Sequence, residues 1–127
     1  SVSELADNCL SRNFNKTIKI LNENNFSLDD CILIIKTLLL KSKRMLQLKK
    51  DFKKNNSIDQ TISSYKPPIF WKDKEIVKNQ ILNWTSADTE KLIFKINDIE
   101  LLIKKNSVNS LNILYDFILN TANQVNN

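Results

Sequence analysis

The chain contains no glycine, and this absence restricts its fold more than any other feature of its 127 residues. Tight β-hairpins depend on Asn-Gly, Asp-Gly or Gly-X turns, so an all-β fold is disfavoured. The P-loop, the dinucleotide fingerprint GxGxxG and the EF-hand each need glycine at a fixed position. Histidine is absent too, which excludes a Ser-His-Asp triad, a Cys-His pair and zinc sites that contain histidine. The composition therefore predicts a soluble helical domain with no catalytic residues or bound cofactor.

Start signals for α-helices recur along the chain. The sequence Ser27-Leu-Asp-Asp30 is typical of an N-cap with two carboxylates in the first turn, so both aspartates are interpreted as helix caps. The helix that begins there is expected to run to about Lys54. A second start signal, Thr85-Ser86-Ala-Asp88, precedes an apolar stripe that is expected to face the core. That stripe consists of Leu92, Ile96, Ile99 and Ile103.

Asparagine is expected to do at the helix ends what glycine does in other chains. It tolerates the left-handed backbone conformation that closes many helices. The pair Asn24-Asn25 is therefore predicted to end the second helix, which Asn13 or Asn15 caps at its start.

The last helix follows Asn106-Ser107, and the tail over residues 123–127 is expected to fray. The residues expected to point inward from this helix are Val108, Leu111, Tyr115, Ile118 and Ala122. Residues 1–127 show no internal repeat and no interdomain linker. The sequence therefore predicts one all-α domain, an irregular bundle of about six or seven helices.

A proline pair interrupts the helical pattern at Lys66-Pro67-Pro68, because each proline forces the preceding residue out of the α region. The following Ile69-Phe70-Trp71 is the densest apolar and aromatic cluster in the chain. Since core and interface aromatics look alike in sequence, both interpretations stay open for Phe70 and Trp71. The candidate subunit interface comprises Pro67, Pro68, Phe70 and Trp71. Trp84 is instead predicted to be core, because it is in helical register with Val77 and Ile81.

Positive charge is concentrated in one segment. The chain has a net charge of +5, while residues 41–54 contain seven basic residues and one acid, a local +6. Such a segment is either a solvated helix face or an electrostatic contact with DNA or an acidic partner. The candidate contacts are Lys43, Lys50 and Lys54, which lie opposite an apolar face on the helical wheel.

The remaining features indicate a reduced, non-membrane setting. Cys9 and Cys31 are far apart and have apolar neighbours, so they are interpreted as reduced core thiols of a cytoplasmic protein. The longest apolar run, residues 31–40, is shorter than the ~20 residues that a bilayer requires. No signal peptide is recognised, and the chain begins at Ser1, so a longer parent protein is expected. Glu100 and Lys104 are expected to form a surface pair on one helix.

Several segments together resemble a known domain. They are Lys66-Pro-Pro-Ile-Phe-Trp-Lys72, Trp84-Thr-Ser, Leu92…Ile96…Ile99-Glu100…Lys104, and upstream Leu5-Ala-Asp-Asn8, Ile18-Lys-Ile-Leu21, the Ser27 cap and Leu39 to Leu46. This combination resembles the C-terminal domain of the delta subunit of the bacterial DNA polymerase III clamp loader, over nearly the whole chain. Where that family often has glycine, this chain has Asn13, Asn25 and Asn106, which are interpreted as left-handed substitutes.

The resemblance implies that this chain has a non-catalytic role. Delta is similar to AAA+ proteins but does not itself hydrolyse ATP, and its N-terminal domain, absent here, contacts the sliding clamp. The C-terminal domain joins the partner subunits in a circular collar, so the implied function is assembly during DNA replication in the bacterial cytoplasm. Contact with DNA would be weak or indirect. The alternative is a free-standing, basic, helical nucleic-acid-binding domain that uses residues 41–54.

Overall fold

The chain folds into a bundle of α-helices. The computed structural model describes residues 1–123, and over these residues it contains seven α-helices, two short 3-10 turns and no strand. This confirms the predicted all-α class. The 3-10 turns span Trp71–Asp73 and Ser107–Asn109. The helices are α1 (Val2–Leu10), α2 (Phe14–Glu23), α3 (Leu28–Asn55), α4 (Ile58–Ser64), α5 (Lys74–Asn83), α6 (Ser86–Lys105) and α7 (Ser110–Asn123).

Local capping fixes where the long helices begin. The Ser27 hydroxyl accepts a hydrogen bond from the Asp30 backbone N–H at 3.3 Å, and the Asp30 carboxylate accepts one from the Ser27 N–H at 2.7 Å. This reciprocal capping box confirms the predicted start of α3. At the start of α6 the Thr85 hydroxyl accepts a hydrogen bond from the Asp88 N–H at 3.0 Å. The Asn13 side chain caps α2.

The left-handed positions differ from the prediction. Over residues 1–123 only Arg12 and Asn56 have positive φ, both at 57°, so the prediction for Asn13, Asn25 and Asn106 is wrong. Asn13 serves as an N-cap instead, and the left-handed residue falls one position earlier. Asn24 and Asn106 close their helices with the side chain, because each side-chain amide donates a hydrogen bond to a carbonyl of the last helical turn. The backbone φ of both residues is negative.

Two apolar cores share helix α3. The main core joins α1, α2, α3 as far as Met45, α6 and α7, and it includes Leu5, Ile34, Leu38, Ile96 and Ile118. The second core joins the last part of α3 to α4 and α5. It consists of Leu48, Ile62, Ile69, Val77 and Ile81. The 28-residue helix α3 thus contributes side chains to both cores.

Most of the predicted inward residues are buried. The stripe of α6 faces the main core, and Trp84 is buried there as predicted, although it lies one residue beyond α5. Leu111 and Tyr115 are only half-buried against the main core, and Val108 is not buried, since it is 92% exposed. It lies in the 3-10 turn before α7 and therefore does not follow the helical register. The tail that is predicted to fray lies outside the described residues from residue 124 onward. None of the helices within residues 1–123 has the length and apolar character needed to span a membrane.

Candidate interaction surfaces

The segment after the proline pair is an exposed aromatic surface. Ile69 is buried in the second core and holds the segment in place, whereas Phe70 and Trp71 are 56% and 69% exposed. Their rings lie 6.0 Å apart at an angle of 59°, and the Lys72 ammonium is 5.4 Å from the centre of the Trp71 ring. Pro67 and Pro68 are exposed as well. Core burial is therefore excluded for both aromatic rings, and the four candidate interface residues share one exposed segment.

A second apolar surface runs along the outside of α6. Ala87, Phe94, Leu101 and Val108 follow one another at intervals of seven residues, and all four are exposed. We call them the α6 outer row. The first three share one side of α6, because seven residues are close to two helical turns. This side lies opposite the buried stripe of α6. Sequence reasoning missed this row, although its seven-residue spacing is visible in the sequence.

An open groove of about 1070 Å³ lies between α6, α7 and the junction of α5 with α6. The Arg12 guanidinium stacks over the Trp84 ring in this groove, 4.0 Å from the ring centre. Burial lowers the pKa of Arg12, and the nearby Asp88 carboxylate opposes that shift. The wall carries charges of both signs, so it does not select a class of ligand. The charged wall residues are Arg12, Asp88, Lys91, Lys95 and Asp116.

Two of the seven cations in residues 41–54 have structural roles. The Lys41 ammonium lies 2.9 Å from the Asp7 carboxylate, and both side chains are only 11% exposed. The Lys49 ammonium donates to the Ile81 carbonyl oxygen at 2.6 Å, at the end of α5. Burial lowers the pKa of Lys49, and the neighbouring positive charge of Lys53 lowers it further. These two lysines therefore hold helices together and are not available to a polyanion.

The other predicted contacts do share one face. Lys43, Lys50 and Lys54 are exposed on the outside of α3, and Lys36 extends the same line by one further interval of seven residues. We call these four residues the lysine row. Within residues 1–123, none of them forms an ion pair. Leu33 and Leu40 lie beside the row and are exposed.

Chemically reactive side chains are buried or dispersed. Cys9 and Cys31 are buried free thiols, as predicted, and burial raises the pKa of Cys9 to about 12. Burial raises the pKa of Cys31 as well. The Glu100 carboxylate lies 3.5 Å from the Lys104 ammonium, which confirms the predicted surface pair. Across the described part of the chain, no three His, Cys, Asp or Glu side chains are grouped to hold a metal ion.

No protein-family model, curated protein or solved structure matches this chain.

Proposed function

We propose that this chain is a non-catalytic assembly domain that binds helical partner domains. The observation that supports this most directly is the α6 outer row. Phe94 is 74% exposed and Leu101 is 58% exposed, on a helix whose opposite side is already buried in the main core. Large apolar side chains that line up on an exposed face are typical of interaction sites.

The spacing of the row suits a helix as the bound element. Apolar residues at seven-residue intervals pack against a partner helix with the same interval, as in coiled-coil seams. Contact would remove Phe94 and Leu101 from water, which is worth roughly 25 cal/mol for each Å² of apolar surface. Charged side chains along one edge of the row, among them Lys91 and Asp98, would remain at the rim of such a contact.

The aromatic segment offers a second contact. Tryptophan is enriched among the residues that dominate binding energy, and Trp71 presents most of its ring to solvent. The second core anchors this segment through Ile69, so the ring is presented from a fixed support. Together, the two surfaces would allow the domain to contact more than one neighbour.

The specific form of the proposal is the collar of the bacterial DNA polymerase III clamp loader, with this chain as the C-terminal domain of delta. The support is the resemblance of the Pro-Pro-aromatic segment and of the Glu100-to-Lys104 helix to that domain. The other loader subunits would then be the partners. Contact with the sliding clamp would belong to the N-terminal domain of delta, and ATP hydrolysis to other subunits.

The test is co-elution in size-exclusion chromatography with the delta-prime and ATPase subunits of a bacterial clamp loader. We expect the chain to co-elute with them and the double variant Phe94→Ser/Leu101→Ser to lose this behaviour while keeping its helical circular-dichroism spectrum. The matched control is Asn97→Ser/Asp98→Ser, which changes exposed polar residues of the same helix. Failure of the unmodified chain to co-elute contradicts the clamp-loader form. Equal co-elution of the Phe94/Leu101 variant contradicts the role of the α6 outer row.

A further inference from the structure

We propose that the outer face of α3 binds an acidic amphipathic helix of a partner protein. This face is distinct from the α6 outer row, and the inference does not depend on the identity of the collar partners. It follows from a line of lysines that form no ion pair within the described residues and that run beside two exposed leucines on one long helix.

The geometry of the face repeats every seven residues. Lys36, Lys43 and Lys50 follow one another at that interval, and Leu33 and Leu40 precede the first two lysines by three residues. Residues three apart are neighbours on a helix surface, so each leucine lies beside a lysine. Seven residues advance ~10.5 Å along the axis. The face therefore presents a regular pattern of apolar and cationic positions.

The charges of the lysine row have no acidic partner within residues 1–123. Four exposed or half-exposed lysines elsewhere have a carboxylate close by, in the pairs Lys16–Glu4, Lys19–Glu23, Lys78–Asp59 and Lys104–Glu100, whereas other exposed lysines, such as Lys91 and Lys95, form no ion pair within residues 1–123. The lysine row has no such pair within residues 1–123. The nearby Asp51 carboxylate instead accepts a hydrogen bond from the Gln47 side chain at 2.9 Å. A ligand with carboxylates at matching intervals would supply the missing charge.

The leucines favour a protein helix over a nucleic acid. Leu33 and Leu40 are 53% and 72% exposed beside the first two lysines of the row. A phosphate backbone offers them no apolar surface, whereas an amphipathic helix places its own leucines against them. The described part of this face also offers bases no aromatic ring to stack on, because Phe52 packs against the second core. Charge and apolar pattern together therefore fit an acidic helix.

The probe is a synthetic helical peptide that carries one leucine and two glutamates in each seven-residue repeat. Binding to the fluorescein-labelled peptide is measured by anisotropy at low and high salt. We expect saturable binding that weakens as salt is raised, because exposed charge pairs are screened. A peptide of the same composition in scrambled order, which breaks the repeat, should bind more weakly.

Two variants locate the site. Reversal of three charges by Lys36→Glu/Lys43→Glu/Lys50→Glu is expected to lower affinity by at least about tenfold, since each exposed pair contributes a few-fold. Leu33→Ser/Leu40→Ser is expected to lower it as well, with the loss persisting at high salt. The matched control, Lys91→Glu/Lys95→Glu/Lys105→Glu, reverses three exposed charges on α6 and should bind like the unmodified chain. All variants are checked for an unchanged helical circular-dichroism spectrum.

The competing ligands are tested with the same variants. Duplex DNA and phosphatidylglycerol vesicles replace the peptide in parallel titrations. DNA bound more tightly than the peptide, with no effect of the leucine replacements, would overturn the proposal in favour of a nucleic-acid surface. Preferential partitioning into the vesicles would overturn it in favour of a lipid surface. Unchanged peptide affinity of the charge-reversed variant would also overturn it, because the peptide would then bind elsewhere.

Discussion

At the scale of single residues, the least replaceable charges are those that the fold encloses. Asp7 in α1 and Lys41 in α3 meet at 2.9 Å where each side chain is 11% exposed. The amide of the buried Gln80 donates to the Asp7 carbonyl oxygen at 3.0 Å, and the Trp84 indole N–H donates to the Leu10 carbonyl oxygen at 2.7 Å. The end of α1 is therefore tied to α3, to α5 and to the residue that follows α5.

Replacing one member of the enclosed ion pair should be costly. Asp7→Ala leaves the Lys41 ammonium without its carboxylate, and we expect the free energy of unfolding to fall by ~3 kcal/mol. The double variant Asp7→Ala/Lys41→Met removes the orphaned charge and should recover part of that loss. Urea unfolding of the single and double variants measures both effects. The control is Asp59→Ala, whose carboxylate is 84% exposed and should matter little. Equal effects of Asp7→Ala and Asp59→Ala would contradict the structural role of the pair.

Because the Cys9 thiol is buried, we expect the free energy of unfolding to fall as the pH rises above 9. Burial raises its pKa from 9.0 to about 12, so above pH 9 the unfolded chain loses this proton first and stability falls. By about pH 10 the expected loss from this group is about 1.4 kcal/mol. Cys9→Ala removes the titrating group, so its unfolding free energy should fall less steeply over the same range. Urea unfolding of both proteins at about pH 8 and about pH 10 gives the comparison. Parallel losses would show that Cys9 does not titrate in this way.

At the scale of the helix, capping explains why the sequence was informative about where elements begin. The box at Ser27 and Asp30 involves residues three apart, so its signal lies entirely in the local sequence. The same holds for Thr85 and Asp88. Helix ends were less predictable, because asparagine can close a turn either by a left-handed backbone or by donating its side-chain amide. Asn56 follows the first route and Asn24 the second.

Loss of the α3 cap tests this local control. Ser27→Ala removes the hydroxyl that accepts the Asp30 N–H, and we expect the free energy of unfolding to fall by about 1 kcal/mol. Ser3→Ala is the matched control, since Ser3 is exposed inside α1 and caps nothing. Thermal and urea unfolding measure the difference between the two variants. A Ser27→Ala variant as stable as Ser3→Ala would show that the box does not stabilise α3.

Contacts between distant parts of the chain could not be predicted from the sequence. Asp7 and Lys41 are 34 positions apart, and nothing near either residue identifies the other. The candidate surfaces show the same limit. Phe70 and Trp71 are as apolar as Ile69, and only the arrangement of α3, α4 and α5 decides that Ile69 is inside and the rings are outside. Exposure of Lys43, Lys50 and Lys54 was predictable, since they lie opposite an apolar face on the same helix, but exposure of Lys36 was not.

At the scale of the whole molecule, the structure limits how strongly this domain can bind nucleic acid. With Lys41 and Lys49 engaged inside the fold, five of the seven cations in residues 41–54 remain for an external contact. We expect duplex and single-stranded DNA to bind without sequence preference, with a dissociation constant no better than ~10⁻⁴–10⁻⁶ M at physiological salt. Titrations of labelled DNA at two salt concentrations measure this, and affinity should fall steeply with salt. Salt-resistant nanomolar binding would contradict it.

Helix α3 also has a mechanical consequence. Its 28 residues span ~42 Å without an internal proline or glycine, and its side chains pack in both cores. A force on the second core, beside the aromatic segment, is therefore expected to be transmitted along α3 to the main core, which contains α6 and α7. If two partner proteins bound opposite ends of the domain, displacement of one would tilt α3 as a rigid helix and so displace the other. The packing inside the domain would not have to change.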